Sequence, residues 1–345
     1  MNRDLSIDSL RGLACLLVVF IHCLSTLYQN GILSNDFWLV KLSAFLSYLR
    51  MPLFTFLSGF VYSMRPAKKE NLPQFVKGKI RRILIPLVFL GTSVSALIFL
   101  FGSKGQMSIN DIILSPLYPV GVYWFLDAVF VIFILAALLE IAGAFKTTKG
   151  MIIVLAIGVI ISESPIRNIQ FFAIGRAAYL FPFFILGIIM HRCDKLASYK
   201  NPKRKAPLSF IFSLLVGWGL FHTLNNSISP DDIKNEHWTS CAVSIAFCYL
   251  IYNLRIKSRV LSVIGGYSYS IYLLHIIFVT SPRIILSKIA PQLKYDYPVF
   301  KVLLISIFLG IAMPIFIDKV LSNNKLFSAM FLGKKNKSAP KVSIV

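Results

Sequence analysis

The sequence predicts an all-α, polytopic membrane protein of about ten transmembrane helices, with both termini in the cytoplasm. Three observations predict it. The chain is 57% hydrophobic and only 14% charged over 345 residues, with a mean hydropathy of +0.73, too apolar for a soluble protein of that size. Long apolar runs recur along the whole length at the spacing of membrane helices. Basic residues concentrate in every second loop between those runs. A β-barrel would show short alternating segments instead, and none is found.

The runs fall near 10–29, 38–64, 83–102, 121–144, 150–163, 171–191, 208–224, 237–253, 266–286 and 299–320. The first has a basic start like a signal peptide. It lacks a small-residue cleavage site and is interrupted by His22, so it reads as a retained helix. The second is long. Its front part, 37–49, reads as a tilted extension or an interfacial helix, with Pro52 at the kink. The fifth is short for a full crossing.

Loop charge orients the set. One side would hold Arg65, Lys68, Lys69, Lys77, Lys79, Arg81 and Arg82, then Lys146 and Lys149. The same side takes Arg192, Lys195, Lys200, Lys203, Arg204 and Lys205, then Arg255, Lys257 and Arg259. The opposite loops carry Lys104, Arg167, and Lys234 among Asp231, Asp232 and Glu236; the loop with Lys288 and Lys294 fits less well. The basic side is cytoplasmic. The chain then divides into a membrane unit, 1–332, and a solvated basic tail, 333–345, near anionic membrane lipid. The net charge of +22 is thereby read as topology, and no nucleic-acid partner is expected. The five cysteines show no CxxC pair or metal-ligand spacing, so no metal is expected. No internal repeat or Gly-rich phosphate loop is present.

Ionisable groups inside apolar runs are costly and mark candidate sites. His22 lies about 16 Å along the first helix from Arg11 at ~1.5 Å per residue, near mid-bilayer. By the same count His275 lies near mid-depth, with Asp127, just below Trp124, and Arg176 in the outer part of their helices. These four can border one cavity open to the outer side. Each also has a purely structural reading. Asp127 can pair with Arg176, Arg176 can snorkel to the interface, and either histidine can hydrogen-bond a neighbouring helix. Tyr269 and Tyr272 can be belt residues. At the inner side Arg11, Arg65, Arg81 and Arg82 form a basic cluster. It is either topology signal or a seat for a polyanionic cytosolic ligand.

Several motifs, in order, resemble the membrane acyltransferase-3 family. Ile7-Asp8-Ser9-Leu10-Arg11-Gly12-Leu13-Ala14 followed by His22 is similar to the opening of its first helix, which pairs an Arg with a His at this spacing. Met51-Pro52-Leu53-Phe54-Thr55-Phe56-Leu57-Ser58-Gly59-Phe60 resembles its second-helix signature. Arg81-Arg82 followed by Pro86 resembles its basic entry into the third helix, and Tyr123-Trp124-Phe125-Leu126 its Trp-Phe-Leu element. Gly266-Tyr267-Ser268-Tyr269-Ser270-Ile271-Tyr272-Leu273-Leu274-His275 resembles its Ser-Tyr-x-x-Tyr-Leu-x-His stretch. Each motif alone is weak; the ordered set is specific.

The resemblance implies an O-acyltransferase, in the form without a fused esterase-like domain, in a bacterial cytoplasmic membrane. It would move an acyl group, usually acetyl, from cytosolic acetyl-CoA or another acyl-CoA to a hydroxyl of a cell-surface polysaccharide or lipid-linked sugar. Arg11, Arg81 and Arg82 would hold the CoA phosphates. His22 would be the general base, with His275 and Asp127 as further catalytic candidates. Trp124, Arg176, Tyr269 and Tyr272 would contact substrate. Ser58, Ser268, Ser270 and tyrosine hydroxyls are candidate oxyanion donors. The alternative is a secondary transporter or flippase of a lipid-linked sugar, which also uses intramembrane His, Asp and Arg.

Overall fold

The computed structural model describes residues 4–34, 36–101, 107–196, 206–225, 237–289 and 298–334. The tail beyond Lys334, and the expected loop charges Lys104, Lys200, Lys203, Arg204, Lys205, Asp231, Asp232, Lys234, Glu236 and Lys294, lie outside the described residues.

The described residues fold as helices and turns, without strands. The chain is an all-α, multi-pass membrane protein. Eight described helices are long and apolar enough to cross a membrane. Each of the ten expected runs coincides with a helix. These are α1 (Leu5–Gln29), α2 (Trp38–Met64), α4 (Ile85–Phe101), α6 (Trp124–Ile141), α7 (Thr148–Ser162), α8 (Ile174–Leu196), α9 (Ala206–Asn225), α10 (His237–Asn253), α12 (Ser268–Ile289) and α13 (Val299–Leu321). Two of the ten, α7 with 15 residues and α10 with 17, lie outside the set of eight; α4, also of 17 residues, is within it because its helical path starts at Lys69. The remaining helices are short: α3 (Leu72–Lys79), α5 (Ile109–Leu114), α11 (Arg259–Gly266) and α14 (Lys325–Leu332).

Local chemistry sets the ends. Asp4 caps α1 by accepting from the Ser6 N–H at 2.9 Å. Ser108 and Asp111 form a reciprocal capping box on α5. The third membrane helix begins earlier than hydropathy suggests. Between α3 and α4 the chain passes through a π-helical segment, Ile80–Leu84, so one helical path runs from the polar Lys69 to the apolar Leu100. Arg81 and Arg82 sit on that π segment.

Close helix contacts are made through glycine. A Cβ on Gly12 would stand 2.0 Å from the Leu261 carbonyl oxygen, and one on Gly265 1.9 Å from that of Asp8. Thus α1 and α11 meet backbone to backbone, as small residues permit in membrane helices. Gly59 against Phe184 and Gly187 against Phe56 do the same for α2 and α8, each with a would-be Cβ 2.0 Å from a carbonyl oxygen. Ser9 Oγ adds a bond to the Ser258 carbonyl at 3.0 Å. The helices α1, α2, α8 and α11 therefore form the tight centre. Outward faces carry large exposed apolar side chains, among them Phe210, Leu214 and Phe221 on α9 and Leu304 and Phe308 on α13, as a lipid-facing surface requires.

Candidate active site

Two cavities lie end to end along α1, α2, α6 and α12. The first, of about 370 Å³, is basic: Arg11, Arg65, Lys79 and Arg82 line it, with no carboxylate among its lining residues. Arg11 comes from the first turns of α1 and keeps an ion pair with Asp8 at 3.5 Å. Lys79, at the end of α3, lies 3.1 Å from the centre of the Phe133 ring. Arg82 stacks 5.7 Å from the Tyr269 ring, and its carbonyl accepts from the Tyr269 hydroxyl. Away from these cations the walls turn apolar, with Phe54, Leu57, Phe125, Leu126 and Val129, and end at Tyr272.

The second cavity, of about 270 Å³, holds the imidazole of His22 together with Ser25, Thr26, Arg50, Trp124 and Arg176. Arg176 is at its rim, 4.5 Å from the Trp124 ring centre, an arrangement that stabilises by cation–π attraction. The His22 ring lies 5.2 Å from that of His275. His275 is fully buried. Its Nδ1 is 2.9 Å from the carbonyl oxygens of both Ile271 and Tyr272. Carbonyls only accept, so the neutral ring carries its proton on Nδ1 and a lone pair on Nε2. That Nε2 is buried with no hydrogen-bond partner among the described residues.

The expected site residues are thus partly brought together. His22, Trp124 and Arg176 share the second cavity, and His275 abuts His22. Arg11, Arg82, Tyr269 and Tyr272 share the first. Arg81 faces a neighbouring, open basic hollow, lined also by Arg82, Tyr269 and Lys334. Asp127 stands apart. It is fully buried, and neither carboxyl oxygen has a hydrogen-bond partner among the described residues. It forms no ion pair with Arg176. Ser268, one of the expected oxyanion donors, lines the first cavity, while three of the other expected hydroxyls are already engaged. Ser58 donates to the Phe54 carbonyl at 2.9 Å, Tyr272 to that of Val122, and Ser270 to the Asp318 carboxylate.

Two cations escaped the sequence reading as site residues. Arg50 is buried and lines the His22 cavity, and its signal was an arginine inside an otherwise apolar helix, next to Met51-Pro52. Lys79 read as one more loop charge, because nothing in the sequence placed it against Phe133.

A multi-pass helical protein with a basic, apolar-floored cavity abutting an imidazole cavity has the parts of an intramembrane group-transfer enzyme. Residues 4–317 match the profile of the acyltransferase-3 family, described as an acyltransferase domain, and the chain belongs to that family. It is similar to the nodulation protein NolL of Mesorhizobium japonicum, 29% identical over 196 residues covering 54% of this chain and 48% of that protein. It is also similar to NolL of Sinorhizobium fredii, 29% identical over 216 residues covering 61% of this chain and 54% of that one. The chain spans about half the length of these curated relatives. No solved structure matches it.

Proposed function

We propose that this protein is an O-acyltransferase that carries an acetyl group from cytosolic acetyl-CoA to a hydroxyl of a cell-surface glycan or lipid-linked sugar. The single observation that carries the reading is the abutment of the two cavities, one ringed by Arg11, Arg65, Lys79 and Arg82, the other holding His22. Family membership supplies the reaction class. On this reading the basic cavity opens to the cytoplasm, both termini lie there, and the membrane is a bacterial cytoplasmic membrane.

The donor is a substrate whose chemistry suits the first cavity. Guanidinium and ammonium groups attract its phosphates by charge-assisted hydrogen bonds. Its pantetheine arm is thin and weakly polar, and matches the apolar walls leading to Tyr272. His22 takes the proton of the acceptor hydroxyl as the oxygen attacks the thioester carbonyl carbon. The carbon–sulfur bond then breaks, and the thiolate leaves with the proton returned from His22. A neutral imidazole suits this task because its ordinary pKa lies near working pH. His275 supports the His22 ring from the side. Trp124 and Arg176 form an aromatic-and-cationic rim suited to a sugar or its linked phosphate.

Mass spectrometry of surface glycans from cells with and without the protein tests this directly, together with CoA binding by purified protein. Acetyl groups that vanish with the protein, and measurable CoA binding, are expected. Sugar export that depends on the protein while acetylation does not would favour a flippase and overturn the proposal.

A further inference from the structure

The basic cavity and the His22 cavity share one lining residue among those described, Tyr272. Its ring belongs to a cluster of three. The centre of Phe125 lies 5.3 Å from that of Tyr272, edge-on at 62°. Phe54 lies 6.4 Å from Tyr272 and 6.2 Å from Phe125, again edge-on. The Tyr272 ring is also 6.2 Å from His275, which is 5.2 Å from His22. A continuous series of rings thus runs from the floor of the basic cavity to the imidazole.

The three rings are not equally held. Tyr272 is tied by its hydroxyl to the Val122 carbonyl. One residue further on, Tyr123 donates back to the Leu273 carbonyl at 3.1 Å. This reciprocal pair fixes the start of α6 to α12. Phe54 and Phe125 have no polar anchor on their rings and stay in place by packing alone. Phe54 is only half-buried, because its ring faces the basic cavity.

We propose that Phe54 and Phe125, backed by Tyr272, form the partition on which the acyl end of the donor rests, and that this partition selects short acyl chains. The inference depends on the acyl-CoA reading above. A thioester entering from the cations meets the two phenylalanine edges before it meets the imidazole. Every methylene beyond acetyl must be fitted against rings that are already in mutual contact. Dense packing resists such insertion, and pockets of this kind distinguish one methylene by roughly 10- to 200-fold.

The test needs no knowledge of the acceptor. Affinities of detergent-purified full-length protein for CoA, acetyl-CoA, butyryl-CoA and hexanoyl-CoA are measured by calorimetry. In wild type, affinity should fall at least ten-fold from acetyl- to hexanoyl-CoA. In Phe54→Ala, and in Phe125→Ala, that ratio should shrink by ten-fold or more, whatever the change in affinity for CoA without an acyl group, which reads the hold of the same walls on the pantetheine arm. Phe54→Leu, which keeps most of the bulk, provides a folded intermediate if the alanine variants yield no protein, and its ratio should fall between. A wild type that binds CoA but ignores chain length overturns the partition, as does a ratio that Phe54→Leu leaves unmoved. Failure of wild type to bind CoA at all would instead remove the acyl-CoA reading on which it stands.

Discussion

The imidazoles of His22 on α1 and His275 on α12 lie with ring centres 5.2 Å apart, tilted by 43°. Only His22 reaches the cavity; His275 is sealed behind it with its Nδ1–H held by two backbone carbonyls. This division predicts unequal roles. His22→Gln retains size and hydrogen bonding but cannot accept a proton at working pH. It should lower acyl transfer by roughly 100- to 10,000-fold, with CoA affinity and thermal stability near wild type. His275→Gln should retain a larger share of activity than His22→Gln. A folded His22→Gln protein acetylating at near wild-type rate would transfer the base role to His275.

The four cations of the first cavity predict graded donor binding. Arg11→Ala and Arg82→Ala should each weaken CoA affinity about ten- to a hundred-fold, from loss of a charge-assisted contact worth ~1.5–3 kcal/mol. Arg81→Ala should do less, because Arg81 faces the neighbouring hollow rather than this cavity. Calorimetry at several salt concentrations checks both. Equal losses at all three positions would mean that the donor spans both spaces.

Asp127 and Arg176, both counted to the outer parts of their helices, share no bond. Their substitutions should therefore add. Arg176→Gln removes a cation–π contact, worth ~0.5–2 kcal/mol, whereas Asp127→Asn exchanges one buried polar group without a hydrogen-bond partner among the described residues for another of the same shape. The double variant's melting shift should equal the sum of the singles to within the usual scatter of independent sites. A coupling energy well above ~0.5 kcal/mol would reveal an interaction the geometry does not contain.

The glycine contacts predict that Gly12→Ala and Gly265→Ala are structural lesions rather than catalytic ones. The added carbon would need to occupy the position of a backbone oxygen, so α1 and α11 must separate, at a cost on the order of 1–3 kcal/mol or more. Yield and melting temperature should fall. Gly217, with open space around its Cβ position, is the control: Gly217→Ala should be harmless.

Much of this was readable from residue order. Each expected apolar run lies on a helix, because a run of about 20 apolar residues has few other solutions in a bilayer. Counting along α1 and α12 put His22 and His275 at one level, and they are neighbours. What counting cannot supply is azimuth. By that count Asp127 belongs in the outer part of its helix beside that level, yet it does not line the His22 cavity. The conflict between hydropathy and structure at the third membrane helix has a similar origin. Lys79, Arg81 and Arg82 read as a loop ending, but the cations ride on a helix that begins in the polar sequence at Lys69 and runs unbroken into the apolar stretch. The partition of Phe54, Phe125 and Tyr272 draws on three helices, and no spacing within any one of them foretells it.

The π segment at Ile80–Leu84 makes this stretch tolerant of length in an unusual way. A π turn holds one residue more than an α turn, so deleting Ile80 would let the path relax into ordinary α-helix without unravelling. The deletion would act locally. A π turn and an α turn each close one full circle, so Lys79 and α3 would keep nearly their present direction relative to α4. The cavity that Lys79 and Arg82 line together would keep its framework. A one-residue gap at this position would thus mark a π turn absorbed into an unbroken helix, not a trimmed loop.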